Sequence, residues 1–252
     1  MNILVLIAGV LDPKWPVAPL GDGLPERAAD RLILSPFDEA ALEIALRIRD
    51  AHSDTAIRAL VAGGAEAIRL ARAVAALNIA DVATVALAAP WDQAANAREL
   101  AAVCDDADLV LMGREFGDCD DGLVPPMLAG LLGKPFFGRV QVVEATGAIR
   151  LMREAAICEE WLTVAQPVVA SVTNDRRTRL RKPLMKNVMM ARQARIEALT
   201  IGTLAQAPTG GADLAGVSAH AGARAMVDCA MIGGSPEDQA SAIAALLVEA
   251  AR

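Results

Sequence analysis

Four stretches of this 252-residue chain are rich in small residues, three of them with carboxylates, in the way a loop is where it leaves a buried strand and starts a helix. They are Ala8–Asp12 with Gly9, Ser35–Glu39, Ala62–Ala65 with Gly63, and Gly113–Val124. Backbone amide groups in such loops, together with helix N-termini, form places for anions such as phosphate. In an open parallel sheet they gather at the carboxyl ends of the strands, where the strand order reverses. No loop reads GxGxxG after its strand and none reads GxxxxGK[ST], which disfavours a hydride-transferring dinucleotide enzyme and a P-loop ATPase. The fourth loop carries Asp118, Asp120 and Asp121; no other carboxylate is placed to complete a Mg²⁺ site, and a solvated acidic loop is the plainer reading. His52 and His220 lie near no serine or cysteine in a nucleophilic pattern, so both read as surface histidines. Cys104, Cys119, Cys158 and Cys229 are far apart with no CxxC spacing, which points to reduced thiols in a cytoplasmic protein and to no metal.

The elements that must position these loops are legible in the hydrophobic pattern. Apolar residues make up 54% of the chain, much of it alanine, and the net charge is −7. With no tyrosine, three tryptophans and four phenylalanines, a base-stacking surface is not expected, and the acidic balance argues against a nucleic-acid partner. The longest apolar run, Ile3 to Leu11, is too short to cross a membrane and has no charged region before it; it reads as a buried strand.

Asn2–Ile7 has the continuous apolar character of a central parallel strand covered on both faces. A long Pro/Gly-rich polar segment follows from Asp12 to Glu26. Pro36 tends to hold Ser35 extended and suits a helix start, and Asp38 with Glu39 puts negative charge in the first turn, where the dipole favours it. That helix, near Asp38–Ala51, leads to a strand at Ala56–Val61, a helix at Glu66–Leu77, a strand at Ala83–Leu87, a helix at Asp92–Cys104, a strand at Asp108–Gly113 and a helix at Pro126–Leu132. Such alternation predicts an α/β fold with an open, mostly parallel, doubly wound sheet of the adenine-nucleotide-binding type. After Gly133 the period changes. Arg139–Glu144, Ala148–Glu154 and Glu160–Ala165 predict an antiparallel extension, Pro167–Thr173 one more buried strand, and Asn187–Arg195 a short helix. From Thr200 to Gly234 no period remains, so the chain divides into an α/β domain over 1–199 and a C-terminal arm plus helix over 200–252. Ser235 and Pro236 mark the start of that last helix.

Several of these segments resemble the β subunit of electron transfer flavoproteins. Ser35-Pro-Phe-Asp-Glu39 resembles that family's Asn-Pro-Phe-(Asp/Cys)-Glu loop. Ile3-Leu-Val-Leu-Ile-Ala-Gly-Val-Leu-Asp12 resembles Ile-Leu-Val-x-Val-Lys-Arg-Val-x-Asp, with Ala8-Gly9 in place of the basic pair. The family often sets an aromatic residue near the flavin just after that Asp; here Pro13 stands there and Trp15 follows. Asp108-Leu-Val-Leu-Met-Gly113-Arg114 resembles Asp-Leu-Val-Leu-Leu-Gly-Lys, and Lys186-Asn-Val-Met-Met-Ala-Arg192 resembles the family's Pro-x-Ile-Met-x-Ala-Lys. The resemblance covers about residues 1–197 and implies a nucleotide cleft lined by Ala8, Gly9, Asp12, Ser35, Pro36, Phe37, Asp38, Gly63, Gly113, Asp118, Asp121, Gly122, Leu123 and Val124. It departs from the family in one place that matters. Gly122-Leu-Val-Pro125 stands where Asn-Gln-Thr-Gly cradles the phosphate of a bound AMP, so a hydroxyl donor and a backbone donor are lost, and AMP binding is weakened or absent.

The resemblance implies an electron carrier without catalytic residues of its own, in a heterodimer whose α subunit holds most of an FAD. Electrons would pass from a flavin dehydrogenase to a quinone oxidoreductase or another acceptor. The counterpart of the family's docking loop holds Arg176, Arg177, Arg179, Leu180, Arg181, Lys182 and Leu184, with Leu180 or Leu184 as anchor; from Arg176 to Arg195 there are eight basic residues and no acid. Two other readings stand beside this one. One is a degenerate scaffold subunit of a dehydrogenase complex with an empty AMP pocket. The other is a stand-alone nucleotide sensor of the universal-stress type, which would need a GxxG loop followed by a Gly-Ser pair late in the sheet, and no such loop is present.

Overall fold

In the computed structural model the residues described are 1–14, 32–104, 106–165, 167–201 and 231–250. The elements run β1 (Asn2–Ile7), β2 (Val10–Leu11), β3 (Leu32–Ile33), α1 (Pro36–Ala51), β4 (Ala56–Ala62), α2 (Ile68–Ala75), β5 (Asp81–Val85), α3 (Gln93–Ala101), β6 (Leu109–Gly113) and α4 (Val124–Leu132). They continue with β7 (Phe136–Val140), β8 (Val142–Thr146), β9 (Ala148–Ala155), β10 (Cys158–Val164), β11 (Val168–Val172), α5 (Met185–Arg192), β12 (Glu197–Leu199) and α6 (Pro236–Ala250). Seven strands form one sheet in the order β12-β5-β4-β1-β6-β11-β7, and every pairing in it is parallel.

β1 is the axis of this sheet because its side chains are apolar in both directions. Ile3, Val5 and Ile7 enter the core under α1 and α2, while Leu4, Leu6 and Ala8 enter the core under α3 and α4. Each fully buried aliphatic side chain contributes about 1.5–3 kcal/mol by leaving water. The chain moves outward from β1 through β4 to β5, then returns to the other side for β6, so the strand order reverses between β1 and β6.

The meander expected after Gly133 is present, with one difference. The segment Arg139–Glu144 is not a single strand: Phe136–Val140 is the parallel edge of the main sheet, and only Val142–Thr146 joins the three-stranded antiparallel sheet β10-β9-β8. Arg139 has φ +60, in the left-handed region, and its N–H donates to the Ser171 hydroxyl at 3.2 Å, where β11 carries a register shift. That local turn redirects the chain between the two sheets. Ile149 and Leu151 of the small sheet belong to the same core as α1, so the helix after the Ser35 loop is covered from two sides, which its Ala40, Ala41 and Ala45 permit. Sequence periodicity placed the short helix two residues late and missed β12, a three-residue edge strand paired with β5. The Asp12–Glu26 and Thr200–Gly234 segments lie largely outside the described residues, as do Trp15, His220 and Cys229.

Candidate site at the carboxyl edge of the sheet

The loops expected to carry chemistry converge where β1 and β6 end. Gly113 closes β6 so near α1 that a Cβ there would stand 2.9 Å from the Phe37 Cβ and 2.9 Å from the Glu115 carbonyl. Gly117, with φ +79, lies against Ala8, 3.1 Å from its Cβ to an ideal Cβ on the glycine. Thus Ala8, Gly9, Ser35, Pro36, Phe37, Asp38, Gly113 and the loop through Gly122, Leu123 and Val124 share one region. Gly63 ends β4 next to β1, its N–H donating to the Val85 carbonyl. Asp12 turns back on its own segment, accepting the Lys14 N–H at 3.0 Å.

The α1, α3 and α4 starts at this edge, and the turn before α2, are occupied by the chain's own side chains. At α1, Ser35 is the N-cap: its hydroxyl accepts the Asp38 N–H at 3.0 Å, and Asp38 Oδ2 accepts the Ser35 N–H at 3.1 Å. The same Asp38 oxygen accepts the Gly9 N–H at 3.2 Å, tying the end of β1 to the start of α1. At the turn before α2, Glu66 Oε1 accepts the Gly64 N–H at 2.9 Å. At α3, Asp92 Oδ1 accepts the Ala94 and Ala95 N–H groups at 2.9 and 3.0 Å. At α4, Asp120 accepts four: Phe116 at 2.8 Å on Oδ2, and Gly122, Leu123 and Val124 at 3.0, 2.9 and 3.3 Å on Oδ1. The other acids of that loop are engaged as well, Asp118 by the Leu11 N–H at 3.1 Å and Asp121 by the Gln93 side chain at 3.1 Å. Sequence reading set Asp118 and Asp121 on the cleft and took Asp120 only as a member of the acidic loop. The available signal was an aspartate just ahead of Gly122 and the Pro125-Pro126 pair that starts a helix.

Asp38 is fully enclosed. Burial pushes its carboxyl up to about 6, against the opposing pull of Ser35 and the Gly9 and Ala8 amide groups. Its Oδ1 has no hydrogen-bond partner among the described residues. On the outer rim, Phe37 is half-buried with the Arg114 guanidinium 5.1 Å above its ring, and Leu123 is exposed.

The basic loop after β11 divides into inward and outward residues. Arg181 forks onto Glu43 of α1 with two 3.0 Å hydrogen bonds and also pairs with Asp50, while its own N–H donates to Glu43 at 3.1 Å. Burial raises the Glu43 carboxyl, but Arg181 and Arg47 outweigh it and hold it below the usual range. Arg177 binds Asp175 at 2.8 Å and Glu154 of β9 at 2.6 Å, and it holds the Asp175 carboxyl down to about 2. Leu180 packs against the core, whereas Leu184 is 71% exposed, with Met185, Met189 and Met190 beside it on α5. Arg176, Arg179 and Lys182 face solvent. Among the described residues no group of three or more His, Cys, Asp or Glu could hold a metal ion.

A parallel sheet wound on both sides, with its helix starts gathered at the point of strand reversal, defines the α/β proteins whose ligand cleft lies at the carboxyl edge. The model of the electron transfer flavoprotein domain matches residues 26–204. The chain is 31% identical over 224 residues to the electron transfer flavoprotein subunit beta of Mycobacterium leprae, covering 81% of this chain and 80% of that one. It is 29% identical over 211 residues to that of Dictyostelium discoideum (79% and 81%), and 32% identical over 219 residues to the mitochondrial one of Oryza sativa subsp. indica (79% and 82%). The chain belongs to the electron transfer flavoprotein family, on its β-subunit branch.

Two outcomes follow from the ionised groups. The folded pKa of Asp38 lies above its unfolded value, so its ionisation costs nothing well below pH 4, destabilises increasingly between about pH 4 and 6, and the penalty is constant above that. Asp38→Asn keeps an accepting oxygen for Gly9 and Ser35, and relative to wild type it gains about 3 kcal/mol between pH 4 and pH 7 in urea titrations, two pKa units at 1.36 kcal/mol each; parallel pH curves for the two proteins would refute this. Arg181→Ala leaves the nearly buried Glu43 short of its main partner and lowers the unfolding free energy by about 2 kcal/mol, measured by the same titration at neutral pH.

Proposed function

We propose that this chain is the β subunit of a heterodimeric electron transfer flavoprotein, covering one side of an FAD held mainly by an α subunit. In this role it passes electrons from a flavin dehydrogenase to a quinone oxidoreductase or another acceptor, as a carrier without catalytic residues of its own. Family membership supports the electron-transfer role and the two-subunit assembly. The observation that carries the covering role is the occupation of the α1, α3 and α4 starts at the carboxyl edge by Ser35, Asp38, Asp92 and Asp120, with Glu66 holding the Gly64 N–H in the turn before α2. A chain with its amide groups so engaged has little with which to hold the diphosphate of a dinucleotide, and it suits a wall against which a partner presents one.

The residues present fit a cover. Phe37, Arg114 and Leu123 offer apolar and cationic surface beside Ala8, Gly9, Ser35 and Pro36, while Gly63, Gly113 and Gly122 let the backbone run close. FAD, when bound, supplies the electron chemistry; these side chains would exclude water from its exposed side. Asp12, Asp118 and Asp121 shape the loops, and Val124 begins α4 behind them.

Surface on two helices supports the partner assignments. On α6 no residue is buried, and Ile243, Leu246, Leu247 and Val248 are all exposed, an apolar face suited to the α subunit. The division at residue 199 makes this helix part of an arm contacting that subunit. On α5, Leu184 with Met185 and Met189, rimmed by Arg176, Arg179 and Lys182, suits a transient acidic partner, with Arg177 and Arg181 bracing the loop from behind. Cys104, Cys119 and Cys158 as thiols agree with a cytoplasmic location. Among the described residues no helix is long and apolar enough to cross a membrane.

Co-expression with an α subunit should yield a yellow one-to-one complex, whereas this chain alone should aggregate or bind hydrophobic dyes. A well-behaved monomer with no affinity for any α subunit would defeat the proposal. Leu184→Asp should leave the complex and its flavin intact and slow reduction by the partner dehydrogenase about tenfold or more, the loss of one central docking residue; an unchanged rate would remove this loop from docking.

A further inference from the structure

We infer that this chain takes no adenine mononucleotide at its carboxyl edge, because the Asp120 carboxylate fills the amide cradle in which a phosphate would sit. The identity of the excluded ligand rests on the family reading above; the filling of the cradle rests on hydrogen bonds alone.

The start of α4 has few donors to offer. Its N-terminal amide groups are those of Gly122, Leu123 and Val124, and Pro125 and Pro126 then contribute none. All three donate to Asp120 Oδ1, and the Phe116 N–H reaches Oδ2 from the other side. The aspartate is 7% exposed, so this is a buried anion with a nearly complete shell of backbone donors. Gly122, with φ +99, lets the chain curl around it.

A free phosphate would have to displace a carboxylate tethered two residues from its own donors. An anchored group competes at an effective concentration far above that of a dissolved nucleotide. The displaced carboxylate would stay beside the incoming dianion, with Asp118 and Asp121 in the same loop, so the repulsion would add to the loss. In the neighbouring loops the Gly64, Ala94, Ala95, Ser35 and Gly9 amide groups likewise donate already, to Glu66, Asp92 and Asp38. The pocket is therefore self-liganded, not empty.

The test uses the complex purified with its α subunit. Nucleotides released by acid are quantified against flavin, and AMP and inorganic phosphate are titrated calorimetrically into wild type, Asp120→Asn and Asp120→Ser. FAD without accompanying AMP is expected from wild type, with no binding of either titrant. Asp120→Ser empties the cradle and should bind both at least about tenfold more tightly than wild type, phosphate competing with AMP. Asp120→Asn keeps the accepting oxygen but loses its charge, and its melting temperature should fall by about 5 °C. One AMP per flavin in wild type, or a folded Asp120→Ser complex with no gain in phosphate binding, would overturn the inference. Should Asp120→Ser fail to fold, the nucleotide content of wild type still decides. Flavin content is read separately: a yellow complex retaining AMP would defeat this inference and leave the family reading standing, and a colourless chain would do the reverse.

Discussion

The arrangement at the carboxyl edge depends on carboxylates accepting hydrogen bonds from backbone amide groups that the fold leaves unpaired. A doubly wound sheet must begin a helix after nearly every strand, and each beginning exposes N–H groups that no earlier carbonyl can reach. Here Asp38, Glu66, Asp92 and Asp120 take those groups, each from within or beside the loop it serves. The helix dipoles favour the same placement, so geometry and electrostatics agree.

Asp38 shows how far this goes. It lies in full burial between β1 and α1, where an ionised carboxylate is costly, and it is kept by the Ser35 and Gly9 amide groups that would otherwise be unsatisfied there. The seam between the first strand and the first helix thus rests on one titratable group with an oxygen to spare. Glu43, five residues along the same helix, solves a similar problem differently: it recruits Arg181 from a loop more than a hundred residues away, and so locks the basic loop against α1. The basic stretch reads as uncompensated along the sequence because its acids, Glu43, Asp50 and Glu154, come from α1 and β9.

Under the proposed role as a subunit that covers a flavin, this would have a functional meaning. A wall beside a flavin has to be rigid and has to leave the cofactor's phosphates to the other polypeptide. A docking surface has to present a few apolar side chains on a firm base. In that proposal, Leu184 standing out from a loop braced by Arg177 and Arg181 would meet the second need, and the self-capped strand ends the first.

Local patterns were enough to determine the strand–helix alternation, the buried central strand, the proline-led helix starts and the family resemblance, because hydrophobic period and helix-start chemistry act over a few residues. They also revealed the lost hydroxyl and amide at Gly122–Pro125, since a missing donor is visible in the residue type itself. Tertiary structure alone decided that Phe136–Val140 joins the main sheet, that Leu180 turns inward while Leu184 does not, and that Asp120, unremarkable among neighbouring aspartates, is the one that enters the cradle. Each of those outcomes depends on a partner distant in sequence or on a turn of the backbone such as that at Arg139, and neither leaves a periodic trace in the order of residues.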